Sequence, residues 1–241
     1  MIKVNEVSFR YGQRVALDRV SFRLDTGLNI LLGPNGAGKS TLFSLLANLS
    51  QRQQGSLTLM GKTPGSDTMA ELGIVFQQST LDLDLTVVQN LSYYGALHGF
   101  SKKHSLEKAT PLLKHFELLS RLNDTVRQLN GGHRRRTELV RALMHSPSVL
   151  LLDEPSSGLD PKARQDLTKA VRDLCRQHPL CVLWATHLID EASHDDNVLI
   201  LHQGKLQAQG TVKALTTKHG QRSLSDVFAL LTRSDTATER G

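Results

Sequence analysis

Residues 33–40 read GPNGAGKS, and this octet constrains what the chain can fold into more than any bulk property does. It satisfies every fixed position of the pattern G-x-x-x-x-G-K-[ST], a phosphate-binding loop. The flanks agree with it. LNILLG (28–33) is a nearly continuous apolar run, as expected of a strand covered on both faces. STLFSLLANL then places Leu42, Leu45, Leu46 and Leu49 at helical spacing. Gly33, Gly36 and Gly38 let the backbone curl so that its N–H groups converge on an anion. The start of the helix adds a partial positive charge. Lys39 is placed to reach β- and γ-phosphates, Ser40 to ligate Mg²⁺, and Thr41 to meet an α-phosphate.

A second strand-like run, VLLLDEP (149–155), ends in two carboxylates. LCVLWATH (180–187) is a third, and a helix pattern lies between them, carrying Ala163, Leu167, Ala170, Val171 and Leu174 on one face. Asp160-Pro161 supplies that helix with a cap and a proline at its first position. Strand, helix and strand in alternation predict a parallel sheet, whose chemistry gathers at the carboxyl ends of the strands. Asp153 and Glu154 therefore face the phosphate loop. Asp153 suits a Mg²⁺ shell through water, and Glu154 can activate a water as general base. His187 closes its strand at the same edge, where a phosphate contact is expected.

Elsewhere the texture varies. Residues 2–24 alternate with period two, which predicts half-buried antiparallel strands, and GSLTLMGK (55–62) reads as another short strand. From about 80 to 147 strand-like runs vanish and helical periodicity takes over. After Ala208 the chain reads as helical, and SDTATERG at the end as a polar, disordered tail. No apolar run approaches the roughly 20 residues that span a bilayer, and no signal-peptide segment is visible at the N-terminus. Cys175 and Cys181 lack metal-ligand spacing and read as core residues of a reduced, cytoplasmic protein. The net charge of +6 is spread along the chain, with one dense cluster at Arg134, Arg135 and Arg136.

Taken together, the ordered motifs resemble the nucleotide-binding domain of ATP-binding cassette (ABC) proteins, over residues 1 to about 215. Tyr11 in FRYG resembles the aromatic that stacks on adenine, and GPNGAGKST the Walker A motif. Gln77 in GIVFQQ resembles the glutamine that links Mg²⁺ and the attacking water to a helical subdomain. VLLLDE resembles Walker B with its catalytic glutamate, SSGLD (156–160) the loop that crosses a dimer interface through Asp160, and His187 the switch histidine. The resemblance implies an α/β fold: a P-loop NTPase core with a parallel sheet, an antiparallel β subdomain and an inserted helical subdomain. The expected boundaries are a cassette at 1–218, its helical subdomain at about 79–147, and a C-terminal helix and polar tail at 219–241. The implied ATP-binding set is Tyr11, Gly33, Pro34, Asn35, Gly36, Ala37, Gly38, Lys39, Ser40 and Thr41. Glu154, His187, Gln77 and Lys39 would be catalytic, and Ser40, Gln77 and Asp153 would hold Mg²⁺.

LNGGH (129–133) occupies the slot where the family usually has L-S-G-G-Q. In the family, two subunits pair head to tail, and each ATP lies between one Walker A and the other subunit's signature. The resemblance thus assigns Asn130, Gly131, Gly132 and His133 to a site completed in trans. Asn130 is a good N-cap in place of serine, while His133 departs further from the pattern. Arg134, Glu138 and Arg141 fall opposite Leu139, Val140 and Leu143, so the basic run reads as a solvated helix face and no nucleic-acid partner is expected. SLSDVFALLT (223–232) resembles the C-terminal segment of export-type cassettes. The implied function is the ATP-binding, ATP-hydrolysing subunit of an exporter. It would dock on separate transmembrane subunits at the cytoplasmic face of the membrane, paired with a second, identical cassette. A regulatory or assembly ATPase without transport, or a nucleotide-binding scaffold with little hydrolysis, remains an alternative.

Overall fold

The computed structural model describes residues 1–233; the expected polar tail, SDTATERG, lies outside the described residues. The N-terminal alternation forms a hairpin of β1 (Ile2–Tyr11) and β2 (Arg14–Leu24), joined at a two-residue turn where Gly12 takes a positive φ of 58°. After β3 (Gly27–Leu32), the phosphate loop and α1 (Lys39–Leu46), strand β4 (Gln54–Leu59) returns antiparallel to β1. Helix α1 stops a turn short of the apolar repeat, so Leu49 is exposed rather than on a helix face. A short helix α2 (Ser66–Met69) leads to β5 (Leu72–Val75). Three helices follow, α3 (Val87–Leu97), α4 (Lys102–His115) and α5 (Gly131–Leu143). The chain then alternates through β6 (Val149–Asp153), α6 (Pro161–Gln177), β7 (Cys181–Thr186) and β8 (Asn197–His202). Strand β9 (Lys205–Thr211) is antiparallel to β8 and carries the chain three residues past Ala208 before α7 (Val212–His219) and α8 (Leu224–Leu231).

Among the described residues, the strands form a three-stranded sheet in the order β2-β1-β4 and a six-stranded sheet in the order β5-β6-β7-β3-β8-β9. The larger sheet is parallel apart from β9. Its apolar runs are continuous because both faces are covered. Ile30, Leu32, Leu150, Leu152, Val182 and Trp184 enter a core shared with α3–α6. Leu31, Val149, Leu151, Leu183 and Leu199 enter a second core with α1 and the small sheet. Successive side chains of a strand point to opposite faces, so each run feeds both cores. The order puts β6, β7 and β3 side by side, and with them the residues that follow their carboxyl ends.

The expected solvated arginine face is not what the structure has. Arg135 is only 7% exposed, and its guanidinium pairs with buried Glu138 at 2.7 Å. Arg134 donates to the carbonyls of Val126 and Arg127, and Arg136 pairs with Glu117 at 3.0 Å. The polar side of α5 packs against irregular segments that need donors, and a long guanidinium can bury its stem while supplying them.

Candidate active site

The phosphate loop starts where β3 ends, with the Gly33 amide donating to the Thr186 carbonyl of neighbouring β7. Gly38 holds φ at 108°, and a Cβ there would lie 2.5 Å from the carbonyl oxygen of Ala16. No L side chain fits that conformation or that space. Gly38 also caps α1 without any side chain, so the first amides of the helix have no capping oxygen from the protein itself. Lys39 begins the helix and is 5% exposed. Its ammonium donates to the loop's own carbonyls, Gly33 at 2.7 Å and Pro34 at 3.1 Å. Burial pushes the Lys39 ammonium below its ordinary range, and the nearby Glu154 and Asp153 carboxylates oppose that shift.

Glu154 lies at the centre of the arrangement. Its carboxylate is 3.7 Å from the Lys39 ammonium, and the side chain is 12% exposed. Gln77 Nε2 donates to Glu154 Oε2 at 3.3 Å, and His187 Nδ1 lies 3.1 Å from Glu154 Oε1. Thus three side chains, from segments at the ends of β3, β5 and β7, meet at one carboxylate that follows the end of β6. The Glu154 backbone is left-handed, with φ of 46°, a conformation that costs a non-glycine residue about 1–3 kcal/mol. Its amide donates to the Ala185 carbonyl at 2.9 Å, which helps hold it there. Asp153, the last residue of β6, sits behind Glu154 and is 9% exposed. Burial and then the Glu154 charge push its carboxyl upward, while Lys39 and Arg135 pull it down.

These groups open onto a cleft of about 380 Å³ lined by Tyr11, Arg14, Ala16, Asn35, Gly36, Gly38, Lys39, Ser40, Thr41, Gln77 and Glu154. Tyr11 is 55% exposed and meets Phe9 edge-on at 5.0 Å, which leaves a broad part of its ring on the cleft side. Arg14 and Ala16 were not legible as site residues. They arrive because the two-residue hairpin turn sends β2 back along β1 past the loop; a Gly36 Cβ would sit 3.7 Å from Arg14 Nη2. Ser40 and Gln77 in the lining, and buried Asp153 next to Glu154 in the chain, carry oxygens of the hard kind that Mg²⁺ takes. No group of three or more His, Cys, Asp or Glu side chains converges among the described residues. That donor set fits an ion whose shell is completed by phosphate oxygens and water.

Asn130, Gly131, Gly132, His133 and Asp160 lie elsewhere. They line a second cleft of about 290 Å³ with Gly158, Leu159, Arg136, Lys162, Ala163 and Asp166, and it shares no residue with the first. Asn130 Oδ1 caps α5 by accepting from the His133 amide at 2.8 Å. Asp160 caps α6 by accepting from the Ala163 amide at 2.9 Å. Burial and the nearby Arg121 and Arg136 charges hold the His133 ring below the ordinary histidine range. The loop between Glu154 and Asp160 is anchored from inside, where Ser156 donates to Glu191 and Trp184 Nε1 donates to the same carboxylate at 3.0 Å.

Comparison with known proteins points the same way. Residues 17–157 match the protein family described as ABC transporter. The chain is 32% identical to the linearmycin resistance ATP-binding protein LnrL of Bacillus subtilis, over 91% of this chain and 72% of that protein. It is 37% identical to the Nod factor export ATP-binding protein I of Rhizobium johnstonii, over 87% of this chain and 68% of that protein. A solved structure titled as the ATP-binding subunit of an ABC transporter superposes with a TM-score of 0.84 at 27% identity, covering 97% of this chain and all of that one.

Proposed function

The chain belongs to the ABC transporter family as an ATP-binding, ATP-hydrolysing cassette, and we propose that it powers export through separate membrane subunits, with Glu154 as its general base. The observation that carries this reading is the meeting of Lys39, Gln77 and His187 on the Glu154 carboxylate. ATP enters with its base against Tyr11 and its phosphates in the 33–41 loop. Lys39 then exchanges two loop carbonyls for phosphate oxygens, which are better partners for a buried cation. That exchange draws the ammonium away from Glu154 and leaves the carboxylate free to take a proton from water. Gln77 and His187 hold that water and the γ-phosphate in line. Mg²⁺, when bound by Ser40 and Asp153 with Gln77, supplies charge neutralisation on the phosphates.

Several features support a second copy of the cassette as partner. The glycines at 131 and 132 open on a cleft apart from the one that holds Lys39, and they begin a helix whose positive end suits phosphate. A head-to-tail pair would bring that end to the other subunit's nucleotide, with Asp160 in the crossing loop. No helix among the described residues is long and apolar enough to cross a membrane. In this reading transport rests on partner subunits, as for relatives named as ATP-binding proteins of export and resistance systems, and the cassette sits peripherally on the cytoplasmic face. The guanidinium groups of Arg134, Arg135 and Arg136 already have partners inside the subunit, so nucleic acid is not a partner in this reading.

The test is Glu154→Gln. It removes the base and spares shape and Lys39. Phosphate release should fall by about 10²–10⁴, while nucleotide binding persists and an ATP-dependent dimer accumulates on size exclusion. Near-normal turnover in this variant would falsify the assignment.

A further inference from the structure

The segment that carries Gln77 into the cleft leaves β5 without a scaffold of its own. Among the described residues, no backbone–backbone hydrogen bond engages 77–80. Side chains of α5 fasten it instead. Arg135 Nη1 donates to the Phe76 carbonyl at 2.8 Å, and its Nη2 donates to the Gln77 carbonyl at 3.0 Å. The same guanidinium pairs with Glu138 at 2.7 Å, the two side chains being 8% and 2% exposed. Glu138 Oε1 accepts from the Thr80 amide at 3.1 Å. Arg141 donates to the Thr80 carbonyl at 2.8 Å and to the Thr80 hydroxyl. Residues 135, 138 and 141 are spaced by three, so they share one side of the helix.

Only an arginine serves this geometry. Its planar fork reaches two successive carbonyls and a carboxylate together, whereas a lysine ammonium is a single compact point. One turn before Arg135, the same helix begins at Gly131. The far side of the segment is Gln77, whose amide is on Glu154. A short rigid element therefore joins the glycine end of α5 to the group that touches the proposed base.

We propose that Arg135 is the positioning residue for Gln77, holding its loop to α5 so that a displacement of the Asn130–Gly132 end is carried to the Glu154 carboxylate of the same subunit. This rests on the reading above that Glu154 and Gln77 serve hydrolysis. It makes Arg135, at the centre of the basic run, a mechanical link between the two clefts.

The test uses the full chain in four variants: Arg135→Lys, the double variant Arg135→Met with Glu138→Gln, Gln77→Ala, and Gln77→Ala combined with Arg135→Lys. The Met/Gln pair leaves no buried charge without its partner, so it guards against simple misfolding. For Arg135→Lys we expect a melting temperature lower by a few degrees but a cooperative transition well above the assay temperature, unchanged nucleotide affinity and KM, and kcat lower by about 10- to 100-fold, the scale of a misplaced group near the chemistry. Deuterium uptake over 76–80 should rise in both arginine variants. On the Gln77→Ala background, Arg135→Lys should cost nothing further, because the arginine acts through the glutamine. If Gln77→Ala alone leaves kcat intact, the hydrolytic role of Gln77 fails and this proposal with it. If Gln77→Ala is slow but Arg135→Lys is not, or the two losses multiply, Arg135 is merely structural and the proposal alone is overturned. Unchanged deuterium uptake at 76–80 overturns it equally.

Discussion

Two glycine-rich helix starts in this molecule have similar sequences and opposite physical character. At the head of α1 the glycines are demanded by the fold: a Cβ on Gly33 or Gly38 would lie 2.5 Å from the Leu201 or Ala16 carbonyl oxygen. At the head of α5 the glycines are not demanded by their own subunit. A Cβ on Gly131 would first meet Leu159 Cδ2 at 3.6 Å, and on Gly132 the Asn130 side chain at 3.5 Å, both ordinary contacts. The first site is packed against strands and faces a lysine and a carboxylate of its own chain. The second opens outward and has only part of what phosphate chemistry needs. Glycines that the local fold does not require make sense if something from outside approaches their backbone closely.

Three experiments can break or sharpen that contrast. The largest effect should come from Gly38→Ala. Overpacking against backbone and a left-handed alanine each cost about 1–3 kcal/mol. The variant should lose several degrees in thermal unfolding and lose nucleotide binding outright. Unimpaired binding of a fluorescent nucleotide would show that the loop geometry is not what holds phosphate.

The next effect should be confined to turnover. Gly132→Asp puts an anion at the start of α5, where the helix tolerates it and the space exists. Unfolding temperature and single-subunit nucleotide binding should stay put. Phosphate release should fall by about 10²–10³, the cost of losing one donor to transition-state charge, and ATP-dependent dimerisation should be blocked. Normal turnover in this variant would mean that the second cleft never meets a phosphate.

The smallest effect concerns the far end of α5. His145 lies just beyond the helix, its ring stacked on His98 at 4.2 Å and its Nε2 3.3 Å from the Leu72 carbonyl. Burial, then the His98 ring, push its pKa from 6.5 to about 4. The unfolded chain takes up this proton at higher pH than the folded one. Stability is therefore full above pH 6.5 and declines as the pH falls toward 4. The full shift would be worth about 3 kcal/mol, and partial exposure of the ring lowers that to about 1–2 kcal/mol. Melting curves from pH 7 downward should show the decline, and His145→Phe should flatten it. An identical pH dependence in the variant would remove His145 as the cause.

Legibility divides along the same line. The phosphate loop, the strand ends at Asp153 and His187, and the cap at Asp160 could be read directly, because each depends on residues within a few positions of one another. Gln77 and Asn130 were placed by family resemblance, yet what each touches was not visible. The fate of the arginines was read wrongly. Helical spacing shows which side a residue takes, not what packs there; the carbonyls that claim Arg135 lie 59 and 58 residues away. Strand β9 was missed because its exposed, polar side chains give no apolar run, and only pairing with β8 makes it a strand.

By itself the sequence determined a glycine turn between a two-faced strand and a helix, the geometry on which the proposed phosphate site rests, since those constraints are local and steric. The tertiary structure alone decided which atoms of Lys39, Gln77 and His187 meet the Glu154 carboxylate, and that Arg135 would turn inward to hold a loop. Both outcomes depend on strand order and on helix–loop packing. Buried charge settles wherever the assembled fold supplies enough partners to offset its desolvation.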